Sequence, residues 1–334
     1  MSEKVFKSIS EQIELLKSKN LKFIDEVAAA QNLSNFGYYE IINGYRTTFL
    51  EEDHEEECRF KDGTTFEDIF ALYYFDSKLR TAILGPLDYA ENNLKQKLAY
   101  MLAENYGLNF DEYISKQVFD STGDKLKIQN SKKGLFTSRD LFFYEMKKIK
   151  NRNVHPMKHY REEHNGQIPP WILVKGMTFG NLRTAISLLN SQDKTLLIQR
   201  LYSQEVLRDL TDVELKQLLH DTIRAIHNYR NRAAHGTRLY NFFPKNGFSY
   251  NKILHEKANI SKTSISNKKV EVSSIHLMMS SLSLWDNKFP IATFKEGLSS
   301  LLTGYAKNWE KQIPLILKEM QMPEEFIKYK KPKL

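Results

Sequence analysis

A chain of 334 residues is long enough for one large domain or two ordinary ones, and its core needs no covalent staples. Its single cysteine, Cys58, excludes an internal disulfide, no run approaches the roughly 20 apolar residues that span a bilayer, and the start MSEKVFKSISEQ lacks the apolar stretch of a secretory leader, so a reducing cytoplasm is expected. The formal charge of +8 admits a polyanionic partner.

Helical signals dominate from the N-terminus onward. Capping boxes, a Ser or Thr with an acid three residues later, stand at Ser8 with Glu11, Thr65 with Asp68, Thr211 with Glu214 and Thr293 with Glu296. EEDHEEE (51–57) reads as an exposed loop. From Thr65 to Gly107 the pattern predicts two helices or one kinked helix, because Pro86 removes a backbone donor. Beyond the proline, Leu87, Ala90, Leu94, Leu98, Met101 and Leu102 recur at helical spacing with Glu91 among them, and Gly107 supplies a stop.

STGDKLKIQNSKKG (121–134) reads as a second exposed loop and opens the most charged part of the chain. Between residues 125 and 161, eleven basic side chains (Lys125, Lys127, Lys132, Lys133, Arg139, Lys147, Lys148, Lys150, Arg152, Lys158 and Arg161) face only Asp140 and Glu145. That is a net +9, which leaves −1 for the rest. A run of this kind is either a solvated face or a surface for nucleic acid. QIPPW (167–171) starts another helix after two prolines, and KKVEVSS (268–274) alternates weakly, the nearest approach to a strand. There is no internal repeat.

The segment after Thr211 predicts a helix from about Asp212 to His235, ended by Gly236. At about 100° per residue, Leu219, Ile223, Ile226 and Ala233 share one face with Arg230 among them, while His220, Arg224, His227, Asn231 and His235 form a polar stripe beside it. A buried guanidinium must reach an acid, an interface or water, and Glu91, which interrupts its own apolar stripe, is the matching acid. The same residues could do no more than set helix register, with the histidines as a polar seam. With no H-E-x-x-H and no cysteine pair, no metal site and no cofactor are expected.

Arg230, Asn231 and His235, an R-N-x-x-x-H pattern followed by GTRLYN, resemble the motif of the bacterial Abi-like (abortive infection) family within the HEPN helical superfamily. SEQIELLKSKNL (10–21), FGYYEIINGY (36–45), TFEDIFALYYFDSKLR (65–80), ENNLKQKLAYMLAENYG (91–107) and PPWILVKGMTFGNL (169–182) resemble the family's other blocks in the family's order. The resemblance covers about residues 8–245. Residues 246–334 have no counterpart in it, and Arg232 is an addition whose role it leaves open.

The resemblance implies an all-α fold, with a HEPN-type helical bundle over 65–245, an N-terminal helical extension over 1–64 and a C-terminal one over 246–334. It also implies a toxic, metal-independent endoribonuclease of antiviral defence, in which a ribose 2′-hydroxyl attacks the adjacent phosphate, with Arg230, Asn231 and His235 catalytic; Glu91, His227 and Arg232 are expected in support from their places beside that motif. Histidine titrates near neutral pH and arginine forks onto phosphate oxygens, which suits that reaction. Residues five apart lie about 140° apart on a helix, so Arg230 and His235 do not share a face, whereas Asn231 and His235 do. Asn231 is therefore expected to orient His235. The family's usual arrangement is a homodimer with a composite site. RNA contacts are expected from Lys132, Lys133, Arg139, Lys147, Lys148, Lys150, Arg152, Lys158, Arg161 and Arg238, and no membrane is expected as a partner. Two other functions fit the same residues: an RNA-binding protein that holds a structured small RNA without cutting it, and a helical interaction protein in which Arg230 and Glu91 only brace the core.

Overall fold

The computed structural model describes residues 6–51, 59–127, 135–267 and 272–323. In chain order these form α1 (Ile9–Ser18), α2 (Glu26–Phe36), α3 (Phe66–Tyr106), α4 (Phe110–Tyr113), α5 (Ser138–Lys150), α6 (Met157–Glu163), α7 (Pro170–Leu173), α8 (Phe179–Leu188), α9 (Ser191–Leu201), α10 (Gln204–Asp209), α11 (Asp212–Ala234), α12 (Lys252–Lys257), α13 (Lys262–Ser266), α14 (Ile275–Leu282), α15 (Phe289–Trp309) and α16 (Ile313–Met320). The architecture is all-α. Its one ladder among the described residues is an antiparallel pair, β1 (Lys125–Lys127) with β2 (Leu135–Thr137). These strands lie partly in the stretch expected to be a loop, and three residues are too few to show a period of two. KKVEVSS falls largely outside the described residues, as do Lys132, Lys133 and most of 51–57.

α3 is the axis of the molecule. Thr65 starts it with a complete capping box to Asp68, Gly107 at φ 73° ends it, and its 41 residues run through Pro86 as one helix. Tertiary packing outweighs the local cost of the proline: Leu79, Ile83, Leu87, Ala90, Leu94, Leu98 and Leu102 are all buried, against α7, α9, α11 and α15. The proline leaves the Ala82 carbonyl without its amide partner. Gly297 of α15 packs there, where a Cβ would stand 3.5 Å from that carbonyl oxygen. The missing side chain lets the two backbones close on each other at the loosened turn.

The capping boxes at Ser8, Thr65 and Thr211 form as expected. Thr293 does not cap a helix. It lies within α15, which starts at Phe289 with Pro290 in its first turn, and its hydroxyl donates to the Phe289 carbonyl at 2.9 Å. Residues beyond 246 join the same hydrophobic cluster as the rest: α15 lies along α3, the Phe75 and Tyr305 rings are 5.0 Å apart, and the Gln312 amide donates to the Asp68 carbonyl at 3.1 Å. Among the described residues no helix is long and apolar enough to cross a membrane.

Candidate functional site

α11 buries Leu218, Leu219, Ile223, Ile226, Tyr229 and Ala233 against the core. It ends where His235 takes the cap position, its N–H on the Asn231 carbonyl at 3.0 Å, and Gly236 turns into the left-handed region at φ 71°. His235 is exposed.

Arg230 is not submerged in the apolar face. Its side chain is 41 % exposed, because the long stem lets the guanidinium leave the face that its Cα occupies. The Arg230–Glu91 pair exists, with Nε 3.8 Å from Oε2, yet the buried Glu91 is held more closely by Lys95 one turn along α3, at 2.7 Å. Sequence reading missed Lys95 because an i,i+4 pair on an apolar stripe looks like a break in the pattern.

Asn231 faces His227 rather than His235: its amide nitrogen lies 3.0 Å from His227 Nε2. Both residues sit four from Asn231, one on each side, and the direction was decided by α8. That helix begins at a capping box, Thr178 with Asn181, which places Phe179 and Arg183 one turn apart on a common face. The Phe179 ring stacks on the His227 ring with centroids 5.5 Å apart, and the Arg183 guanidinium lies 3.3 Å from Nδ1. Arg183 was not foreseen. The available signal was an arginine four residues after an aromatic in the first turns of a capped helix. Burial, then the Arg183 and Arg230 guanidiniums, hold His227 below the ordinary imidazole value of 6.5, while Glu91 acts in the opposite sense. The cluster therefore presents a neutral ring flanked by two arginines.

Arg232 and Arg238 have structural partners. Arg232 Nε donates to the Arg238 carbonyl at 2.8 Å, and its guanidinium lies over the Phe242 ring at 4.7 Å. Arg238 donates to the Gly44 carbonyl. The chain after the motif is held by Asp76 of α3, a fully buried carboxylate that accepts from the Leu239 and Tyr240 amides, at 3.0 and 2.6 Å, and from the Tyr45 hydroxyl at 2.7 Å. Arg80 completes its shell at 2.5 Å. FGYYEIINGY, TFEDIFALYYFDSKLR and GTRLYN, distant in sequence, meet at this carboxylate.

The basic segment divides by residue type. Arg139 donates to the Phe119 and Asp120 carbonyls, Arg152 to Gly176, and Arg161 to Lys150 and Arg152; Lys150 lies over the Phe110 ring at 4.4 Å. Guanidiniums fork onto several acceptors and so serve as backbone braces. Lys147 and Lys148 are exposed and Lys158 is half-buried, the last two only loosely paired with Glu145 and Glu162. Beside them His155, His159, Tyr160 and His164 form an aromatic group with ring separations of 4.6–5.8 Å. Among the described residues no three His, Cys, Asp or Glu side chains converge as a metal site.

No curated protein and no solved structure matches the chain. The family described as Abi-like protein matches residues 31–241, a span that takes in Asp76, Glu91, Arg183 and the whole of the motif helix. The chain is a member of the Abi-like protein family.

Proposed function

We propose that this protein is an abortive-infection endoribonuclease of the HEPN type that cleaves RNA without a metal ion and acts as a homodimer. The observation that carries the reading is the solvent access of both Arg230 and His235 at the end of one helix, beside a half-buried cluster rich in cationic donors. In the reaction the ribose 2′-oxygen attacks phosphorus, its proton passes to a base, the bond from phosphorus to the 5′-oxygen breaks, and the leaving oxygen takes a proton. His235 serves as the proton-transfer group, and Arg230 holds the charge that accumulates on the phosphoryl oxygens. The two residues diverge around the helix by about 140°, so a two-fold partner brings the second histidine to the first arginine.

Purified protein incubated with RNA in EDTA should leave cyclic-phosphate 3′ ends, and His235→Ala should leave the RNA intact. A mixture of the Arg230→Ala and His235→Ala proteins should regain activity through composite dimers. A wild type that cuts no RNA, or a His235→Ala variant that cuts normally, rejects the reading. The exposed lysines and stacked rings near α6 favour a second function, RNA held without cutting, which predicts co-purifying RNA with intact ends.

A further inference from the structure

α3 passes through Pro86 as one helix, but its two halves lie in different surroundings. Before the proline, the Phe70 ring packs on Phe36 of α2 with centroids 5.8 Å apart, and Asp76 accepts from the Tyr45 hydroxyl. After it, the Tyr106 hydroxyl donates to Asp193 of α9 at 2.7 Å, and Glu104 pairs with Arg200 of the same helix. A proline in mid-helix removes one backbone hydrogen bond and kinks a helix that nothing supports.

α15 spans that break. Its contacts with α3 run antiparallel: Phe289 meets Tyr89 with ring centroids 4.7 Å apart, Gly297 meets Ala82, and Tyr305 meets Phe75 at 5.0 Å. Just past the end of α15, the Gln312 amide donates to the Asp68 carbonyl. Positions 89, 82, 75 and 68 share one stripe of α3, two turns apart, and Pro86 falls between the first two. The chain leading into α15 is tied in turn to the end of α9, which packs on the half beyond the proline. There the Ser203 amide donates to the Leu284 carbonyl at 3.2 Å and the Asp286 amide to the Leu201 carbonyl at 2.8 Å, with Trp285 fully buried between them.

The motif segment is fastened to both halves as well. Glu91, after the proline, lies 3.8 Å from Arg230, and Asp76, before it, holds the Leu239 and Tyr240 amides at 3.0 and 2.6 Å. His235 stands between these two attachments. A bend at Pro86 therefore changes their separation, and with it the placement of His235 relative to Arg230. The family match ends at residue 241, so α15 lies outside it.

We propose that α15 is a splint that keeps α3 straight across Pro86 and so fixes the spacing of Arg230 and His235; with α15 displaced, α3 bends at Pro86 and the site loses its geometry. The effect on RNA cleavage rests on the nuclease reading; the splint itself does not. The test uses the full-length protein with Cys58→Ser and spin labels at Lys78→Cys and Gln96→Cys, both exposed on α3. A straight helix sets the labelled positions about 27 Å apart, and the wild type should give one narrow distance distribution.

Gly297→Leu presses a side chain against the Ala82 turn, so it should shorten and broaden that distribution and lower RNA cleavage with it. Pro86→Ala returns an amide to the Ala82 carbonyl. Added to Gly297→Leu it should restore both readouts, a rescue that mere loss of core packing would not show. Should Gly297→Leu fail to fold, Phe289→Ala at a half-exposed side chain takes its place: amide exchange across residues 83–90 should quicken by about 2- to 10-fold, the contribution of one aromatic pair. An unchanged distribution in Gly297→Leu, a loss that Pro86→Ala does not repair, or unaltered exchange in Phe289→Ala overturns the splint. A shortened distance with cleavage undiminished overturns the control of the site, and a wild type that cuts no RNA while the distances behave as stated removes the nuclease reading alone.

Discussion

Two polar clusters flank the motif helix, and they differ in how deeply they are buried. Around Asp76 one buried carboxylate accepts from two backbone amides, a tyrosine hydroxyl and an arginine. Around His227, Arg183 is exposed and Arg230 partly exposed, so the donors that do not reach the ring or the Asn231 amide face solvent. A buried, paired network rigidifies the chain it binds, whereas donors at a partly exposed site are hydrated and can exchange water for a ligand. The contrast makes Asp76 architectural and leaves Arg230 with its neighbours open to solvent, as the proposed chemistry requires.

The widest separation between the clusters should come from activity. His235→Ala is expected to slow RNA cleavage by about 10²- to 10⁴-fold with RNA affinity nearly unchanged, as loss of a general acid or base does; equal losses in cleavage and in a filter-binding assay would make the residue a binding group instead. Asp76→Ala should act in the opposite way. It strands Arg80 and two buried amides, so chemical denaturation should show a loss of about 3 to 5 kcal/mol, and a stability within error of wild type would dissolve the contrast.

Next in size is the electrostatic surface. Replacing Lys147, Lys148 and Lys158 with glutamine should flatten the dependence of RNA affinity on salt by about 0.7 in logarithmic slope for each phosphate that is no longer neutralised. Arg152→Gln and Arg161→Gln should chiefly lower the melting temperature, since these side chains bind backbone carbonyls. An unchanged slope in the lysine variant would move the RNA surface elsewhere.

The pH dependence follows from imidazoles that burial holds below the ordinary value, His227, His255 and His276. Such groups bind fewer protons folded than unfolded, so the stability associated with them is complete above pH 6.5 and declines as the pH falls below it toward their folded values. Melting temperatures measured from pH 7.5 downward should show the decline, and His227→Gln should lessen it. The smallest expected effect belongs to the Arg230–Glu91 pair. At 3.8 Å with a partly exposed arginine, a double-mutant cycle should give a coupling below about 1 kcal/mol, less than the cycle for Glu91 with Lys95.

What the sequence alone determined is local or repetitive. The boxes at Ser8, Thr65 and Thr211, the stops at Gly107 and Gly236 and the apolar stripes of α3 and α11 depend on spacing within one or two turns, so helix positions and the all-α class were legible. So was the family, because its blocks occur in order along the chain. The partner of a polar side chain depends instead on which helix arrives next to it. Only packing decided that Asn231 turns to His227 and not to His235, since both choices are one helical turn away and α8 supplies the ring and guanidinium that settle it. Only packing separated Arg232 and Arg238, which brace the loop after the motif, from Arg230, two and eight residues before them. The same holds for the basic segment: its like charges read alike in sequence, and the division of those described, Arg139, Arg152 and Arg161 as braces against Lys147 and Lys148 in solvent, follows from which backbone carbonyls the fold leaves within reach of a guanidinium.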